Sequence, residues 1–129
     1  TYTTTDATFN NSSDSDYFGT VAAGDDLPYI PSSAWSLVAG FVKDNGLSGN
    51  LRVIDIGGSC SIAACGTYNK IDAHRIVDLN LRKALNESMD LYATLENVMD
   101  NEDVISRAPS EGARSQKPRT MKVGFSYNF

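Results

Sequence analysis

Apolar and polar residues alternate without a break at the end of this chain: Met121, Val123, Phe125, Tyr127 and Phe129 interleave with Thr120, Lys122, Gly124, Ser126 and Asn128. Successive side chains of a strand point to opposite faces, so a period of two commits the segment from Arg119 to Phe129 to a strand with one oily and one wet face. Weaker versions recur upstream. Tyr2 to Phe9 is threonine-rich with two aromatics, a composition suited to a pleated surface. From Ser33 to Lys43, Trp35, Leu37, Ala39 and Phe41 alternate with Ala34, Ser36, Val38 and Gly40, and the odd face is the oilier. Asn50 to Gly58 follows a reversal at Asn45-Gly46 and Ser48-Gly49, with its alternation blurred by Val53-Ile54. His74 to Leu85 and Asp90 to Met99 complete the predicted set of six strands.

One segment supports a second reading. Leu81, Leu85, Met89, Tyr92, Leu95 and Met99 recur at three-to-four spacing among good helix formers, so propensity alone favours a helix there. Two runs of period two, Val77, Leu79, Leu81 and Leu91, Ala93, Leu95, point instead to a hairpin turning at Asn86 to Met89. Periodicity leaves both open.

The predicted connections run about 23, 6, 15, 4 and 19 residues, alternately long and short. An up-and-down sheet with its long loops at one end produces that order, which is the asymmetry of outer-membrane barrels. A soluble β-sandwich binding module is the alternative, although its connections are seldom sorted by length this way. A helical membrane protein is excluded: the stretch without charge from Leu27 to Val42 is 16 residues long and contains Pro28 and Pro31.

Sixteen acidic against eleven basic residues give a net charge of −5, which argues against nucleic acid as a partner. A single histidine, His74, with Cys60 and Cys65 makes no standard zinc set, so no metal is expected. A disulfide between the two cysteines is favoured, with free thiols as the alternative. Asp14, Asp16 and Gly19 fall at EF-hand-like places, yet Phe18 takes a ligand position and Asp25 stands where a bidentate Glu belongs. Ser, His and Asp all occur, but the one histidine, His74 near Asp72 at a loop end, reads as a solvated polar residue rather than a general base, so no enzyme, catalytic residue or cofactor is predicted. Thr1 is no initiator methionine, and the chain is expected to start after processing or inside a longer protein.

The segment Lys122-Val-Gly124-Phe-Ser-Tyr127-Asn-Phe129 resembles the β-signal that barrel-assembly machinery reads in outer-membrane proteins. The wider stretch, Asn97-Val98-Met99-Asp100 with Pro118-Arg119-Thr120, resembles the last two strands of TonB-dependent outer-membrane receptors. Gly24-Asp25-Asp26-Leu27-Pro28-Tyr29-Ile30-Pro31 is similar to the same family, nearest to receptors of the ferric dicitrate type. The resemblance implies that residues 1–129 are the last six antiparallel strands of an all-β transmembrane barrel of about 22 strands, with long extracellular loops and short periplasmic turns. It implies uptake of a ferric siderophore or ferric citrate-like chelate, energised by TonB acting through a plug domain absent from this chain.

By the same resemblance Lys122, Gly124, Tyr127 and Phe129 form the assembly signal, and outer-membrane lipid surrounds the apolar face. Six strands with two open edges would leave backbone groups unsatisfied in lipid, so the chain is expected to be one part of a larger barrel. Ferric siderophores are often anionic, and His74, Arg75, Arg107, Arg114, Lys117 and Arg119 are the cations placed by position to attract one. The cell surface is oxidising, which adds to the case for a Cys60–Cys65 bond.

Overall fold

A computed structural model describes residues 1–107 and 112–129. Its strands, among the described residues, are β1 (Tyr2–Thr4), β2 (Ser13–Ser15), β3 (Gly19–Val21), β4 (Ser33–Val42), β5 (Leu47–Ile56), β6 (Ser59–Cys60), β7 (Lys70–Ile71), β8 (His74–Asn86), β9 (Met89–Glu96), β10 (Val104–Ser106), β11 (Arg114–Ser115) and β12 (Thr120–Tyr127). Six of them form one sheet in the order β1-β4-β5-β8-β9-β12, each beside its neighbour in sequence. This is the up-and-down order that the loop lengths imply. Among the described residues the other six pair two by two within the long connections, as β2-β3, β6-β7 and β10-β11.

The helical reading of residues 81–99 fails. Leu79 faces Leu95, Leu81 faces Ala93 and Lys83 faces Leu91 across the β8–β9 ladder, so pairing sums the apolar period-two faces on one side. Other boundaries move for local reasons. β1 stops at Thr4 rather than Phe9, because the following backbone changes partner: Leu27 N–H donates to the Ala7 carbonyl (2.9 Å) and Phe9 N–H to that of Asp25 (2.9 Å). β5 starts at Leu47 rather than Asn50, because Asn45-Gly46 alone makes the reversal. Gly46 has φ +80°, a left-handed geometry that disfavours a side chain, and Lys43 N–H closes the turn on the Leu47 carbonyl at 2.8 Å. β9 ends at Glu96 rather than Met99, since Asn97 (φ 50°) and Asp100 (φ 56°) turn the chain out of the sheet.

Two compact units divide the chain. The first comprises Thr1–Trp35, Asp55–His74 and Glu102–Gln116, and it gathers the three long connections. Its core is small: Val21, Ala63 and Ile71 are buried, with Ser61 among them. Cys60 and Cys65 are joined by a disulfide with their Cα atoms 5.6 Å apart, within the usual range for such a bridge. Ser61 N–H donates to the Asn69 carbonyl (2.9 Å), so the bond and the β6–β7 ladder fix the same loop. Mass spectrometry of unreduced protein is expected to find no alkylatable thiol at either position; two alkylated cysteines would remove the bridge from the fold.

The second unit comprises Ser36–Ile54, Arg75–Asn101 and Lys117–Phe129. It is almost pure sheet. Among its described residues no hydrophobic side chain is buried, while Leu37, Phe41, Met121, Val123 and Phe125 all stand exposed. A water-soluble sandwich buries one face of each sheet against the other, so this unit lacks what holds such a module together.

Candidate functional site

The function-bearing feature of the second unit is that its sheet has two chemically opposite faces, both fixed by register. In the β9–β12 ladder Met121 faces Leu95, Val123 faces Ala93, Phe125 faces Leu91 and Tyr127 faces Met89. These pairs continue through Leu79 and Leu81 of β8. Gly49 extends the same face, because a Cβ there would meet Leu81 Cδ2 at 2.7 Å and Phe41 Cε1 at 3.0 Å. One continuous apolar surface therefore runs from Phe41 to Phe125, and among the described residues it stays exposed. Large exposed apolar patches on a protein mark contact with lipid or with another protein.

Polar groups on the other face are partnered with one another. Thr94 Oγ1 donates to Asn80 Oδ1 (2.9 Å), and Asn80 Nδ2 donates to Asn50 Oδ1 (3.1 Å), a chain of amides across β9, β8 and β5. Arg82 pairs with Asp90 at 2.6 Å. Glu96 holds two lysines, Lys122 at 2.6 Å and Lys117. Gly124 completes this face: a Cβ at that position would collide with the Tyr92 ring, so the glycine of the predicted assembly signal is also the space into which Tyr92 lies. These polar groups neutralise one another, and with the exposed Val38 and Val42 of β4 as exceptions the face suits the lining of a water-filled lumen.

Asn97 is the residue that sequence reasoning did not single out alone. It is 3% exposed, and its Nδ2 donates to the carbonyls of Asn101 (2.9 Å) and Lys117 (2.8 Å), while its backbone N–H reaches Asp78 Oδ1 (3.0 Å). One side chain thereby ties the exit from β9 to the entry of β12. The available signal was asparagine's tolerance of positive φ, which makes it the residue for a left-handed turn. Asn97→Ala is expected to lower unfolding stability by about 1–3 kcal/mol, because two carbonyls lose a buried amide donor. Thermal unfolding of the purified protein checks this; an unchanged midpoint would contradict the role.

The six predicted cations fall in both units. Lys117 is paired with Glu96, and Arg119 with Asp100 at 3.1 Å, so both are committed to carboxylates. Arg75 lies in β8, where its carbonyl accepts from Asn101 Nδ2 (3.0 Å). In the first unit, Arg114 lies in β11 opposite Ser106, and His74 Nδ1 is 3.4 Å from the Asp72 carbonyl oxygen. Arg107 has a distinct setting, with its guanidinium 4.7 Å from the centroid of the Tyr68 ring. Beside it, Lys70 bonds Asp72 at 2.9 Å and holds that carboxyl below its ordinary range. At the far end of β12, Asn128 N–H donates to the Ser88 carbonyl (2.9 Å), and the Tyr127 and Phe129 rings meet edge-to-face at 5.3 Å.

No protein-family model matches the chain, and no curated protein matches it. Among solved structures, the ferric-catecholate import receptor Fiu of E. coli K12 in its closed form matches over 99% of this chain, with a TM-score of 0.80 and 25% identity. The chain folds as part of a TonB-dependent receptor barrel. It spans 18% of that receptor's length. The open form of Fiu aligns with 85% of this chain at a TM-score of 0.73 and 22% identity, a likeness of fold. In the receptor fold, the two-faced sheet described above is barrel wall. The similar structures are import receptors rather than enzymes.

Proposed function

We propose that this chain is the C-terminal part of the barrel domain of an outer-membrane, TonB-dependent receptor that imports a ferric siderophore. The observation that carries the reading is the exposed apolar face of an up-and-down sheet, backed by a self-neutralised polar face, in a fold matched over nearly its whole length by an import receptor. Lipid accepts the first face and a hydrated lumen the second. The motif resemblance points to ferric dicitrate and the fold likeness to ferric catecholates; we take a catecholate siderophore first, because the likeness spans 99% of the chain. Arg107 over the half-exposed Tyr68 ring offers a cation and an aromatic surface together, as an anionic aromatic chelate requires. His74, Arg75 and Arg114 stay as further candidate contacts, and Lys117 and Arg119 act first on their carboxylates. In this reading TonB supplies energy through a plug domain, barrel-assembly machinery inserts the barrel, and the chain performs no chemical step.

The test is uptake of radioactive iron by cells whose one catecholate receptor is the full-length parent. TonB-dependent uptake of a ferric catecholate is the expected result. Uptake of ferric citrate alone would reassign the substrate, and correctly inserted protein that imports no chelate would overturn the reading.

A further inference from the structure

The apolar face of the second unit contains two lysines, and register places them in one cross-strand row. Lys83 faces Leu91, which faces Phe125, so it stands in an apolar row of β8, β9 and β12. On its other side Ala84 N–H donates to the Gly46 carbonyl (2.9 Å) and Asn80 bonds Asn50, a register that sets Lys83 across from Leu47. Lys43 N–H donates to the Leu47 carbonyl (2.8 Å), and the Lys43 ammonium sits 5.9 Å from the centroid of Phe41, a member of the same face. The row therefore reads Lys43, Leu47, Lys83, Leu91, Phe125. Its two lysines are two strand spacings apart, about 10 Å between backbones, with a leucine between them.

A lysine on a lipid-facing surface extends its ammonium to the membrane–water boundary. Lys83 does this visibly: its Nζ reaches the carbonyl of Asn45 in the tight turn. An ammonium has three donors, so that bond leaves two more. The carboxylates of this end of the sheet stand outside the row. Asp90 is on the opposite face under Arg82, and Asp44 and Glu87 lie in the turns.

We propose that Lys43 and Lys83 clamp the phosphate of an anionic glycerophospholipid whose acyl chains run along Leu47, Leu91 and Phe125. The inference rests on the reading of this face as lipid-facing, and it adds a headgroup preference at one end. Charge complementarity selects the occupant: two cations over an apolar strip match one phosphate over two acyl chains. The short-turn end, periplasmic in this reading, places the site in the phospholipid leaflet.

The test uses the full-length receptor in nanodiscs that contain phosphatidylglycerol and phosphatidylcholine in equal amounts, with lipids that stay bound counted by native mass spectrometry. Each lysine near an anionic headgroup is worth about 1 kcal/mol, roughly fivefold, so the pair should enrich phosphatidylglycerol by up to about 25-fold. The double variant Lys43→Gln, Lys83→Gln should lose that enrichment, and Lys43→Arg with Lys83→Arg should keep it. Equal enrichment in the wild type and the glutamine variant, or loss of enrichment in the arginine variant, would overturn the clamp. Insertion into the disc is scored separately, so a receptor that inserts normally without lipid preference refutes the clamp alone.

Discussion

Val123→Arg in the full-length receptor should sharply reduce the amount of assembled barrel. Val123 is half-way along β12, facing Ala93 and, through it, Leu81, so its side chain is at the middle of the apolar face. An arginine near the bilayer midplane of a barrel costs about 2–4 kcal/mol. Ser126→Arg is the matched control, because Ser126 is exposed on the polar face opposite Asp90, where a new cation finds water and a carboxylate. A surface substitution of that kind costs within about 0.5 kcal/mol. Heat-modifiable mobility in outer-membrane fractions reads both variants, and equal losses would contradict the assignment of faces.

Phe129→Asp should lower the amount of receptor that reaches the outer membrane severalfold, with chelate affinity per folded molecule unchanged. Phe129 is fully exposed, and its recorded ring contact is Tyr127 at 5.3 Å. Such a pair contributes about 0.5–1.5 kcal/mol, too little to decide whether the sheet is stable. A large effect on abundance must then come from recognition before the strand is paired, which is the role the resemblance gives to this end of β12. Surface abundance and the dissociation constant of the ferric chelate are measured on the same cells. Normal abundance with weakened binding would overturn the assembly role.

The long strands were legible where a period of two repeats along the segment, as in Thr120–Tyr127, because one face must avoid water; the blurred alternation at Val53-Ile54 was read from the turn that precedes it. The segment from Leu81 to Leu95 was ambiguous for the opposite reason: its leucines satisfy two periods, and only the pairing of Leu81 with Ala93 decides between them. The ladders β2-β3, β6-β7 and β10-β11 left no trace, since strands of two or three residues carry no period and form through their connections. At the site, Lys122, Gly124, Tyr127 and Phe129 were readable as a pattern, whereas the partner of Gly124 was not. Tyr92 is 32 positions away in sequence and reaches the glycine only through strand register (124 − 92 = 32). The ion pairs of Lys117 with Glu96 and Arg119 with Asp100 were hidden in the same way, because they form after the chain has turned at Asn97.

The central claim is that one face of this sheet meets lipid and the other meets water. Single reporter side chains placed in turn at positions 121 to 126 of the full-length receptor, reconstituted in vesicles, measure it directly. The reporter's fluorescence is quenched separately by a lipid-borne and by a water-borne quencher. Odd positions should respond to the lipid-borne quencher and even positions to the aqueous one, in strict alternation. Aqueous quenching at every position, or lipid quenching without a period of two, would contradict the account.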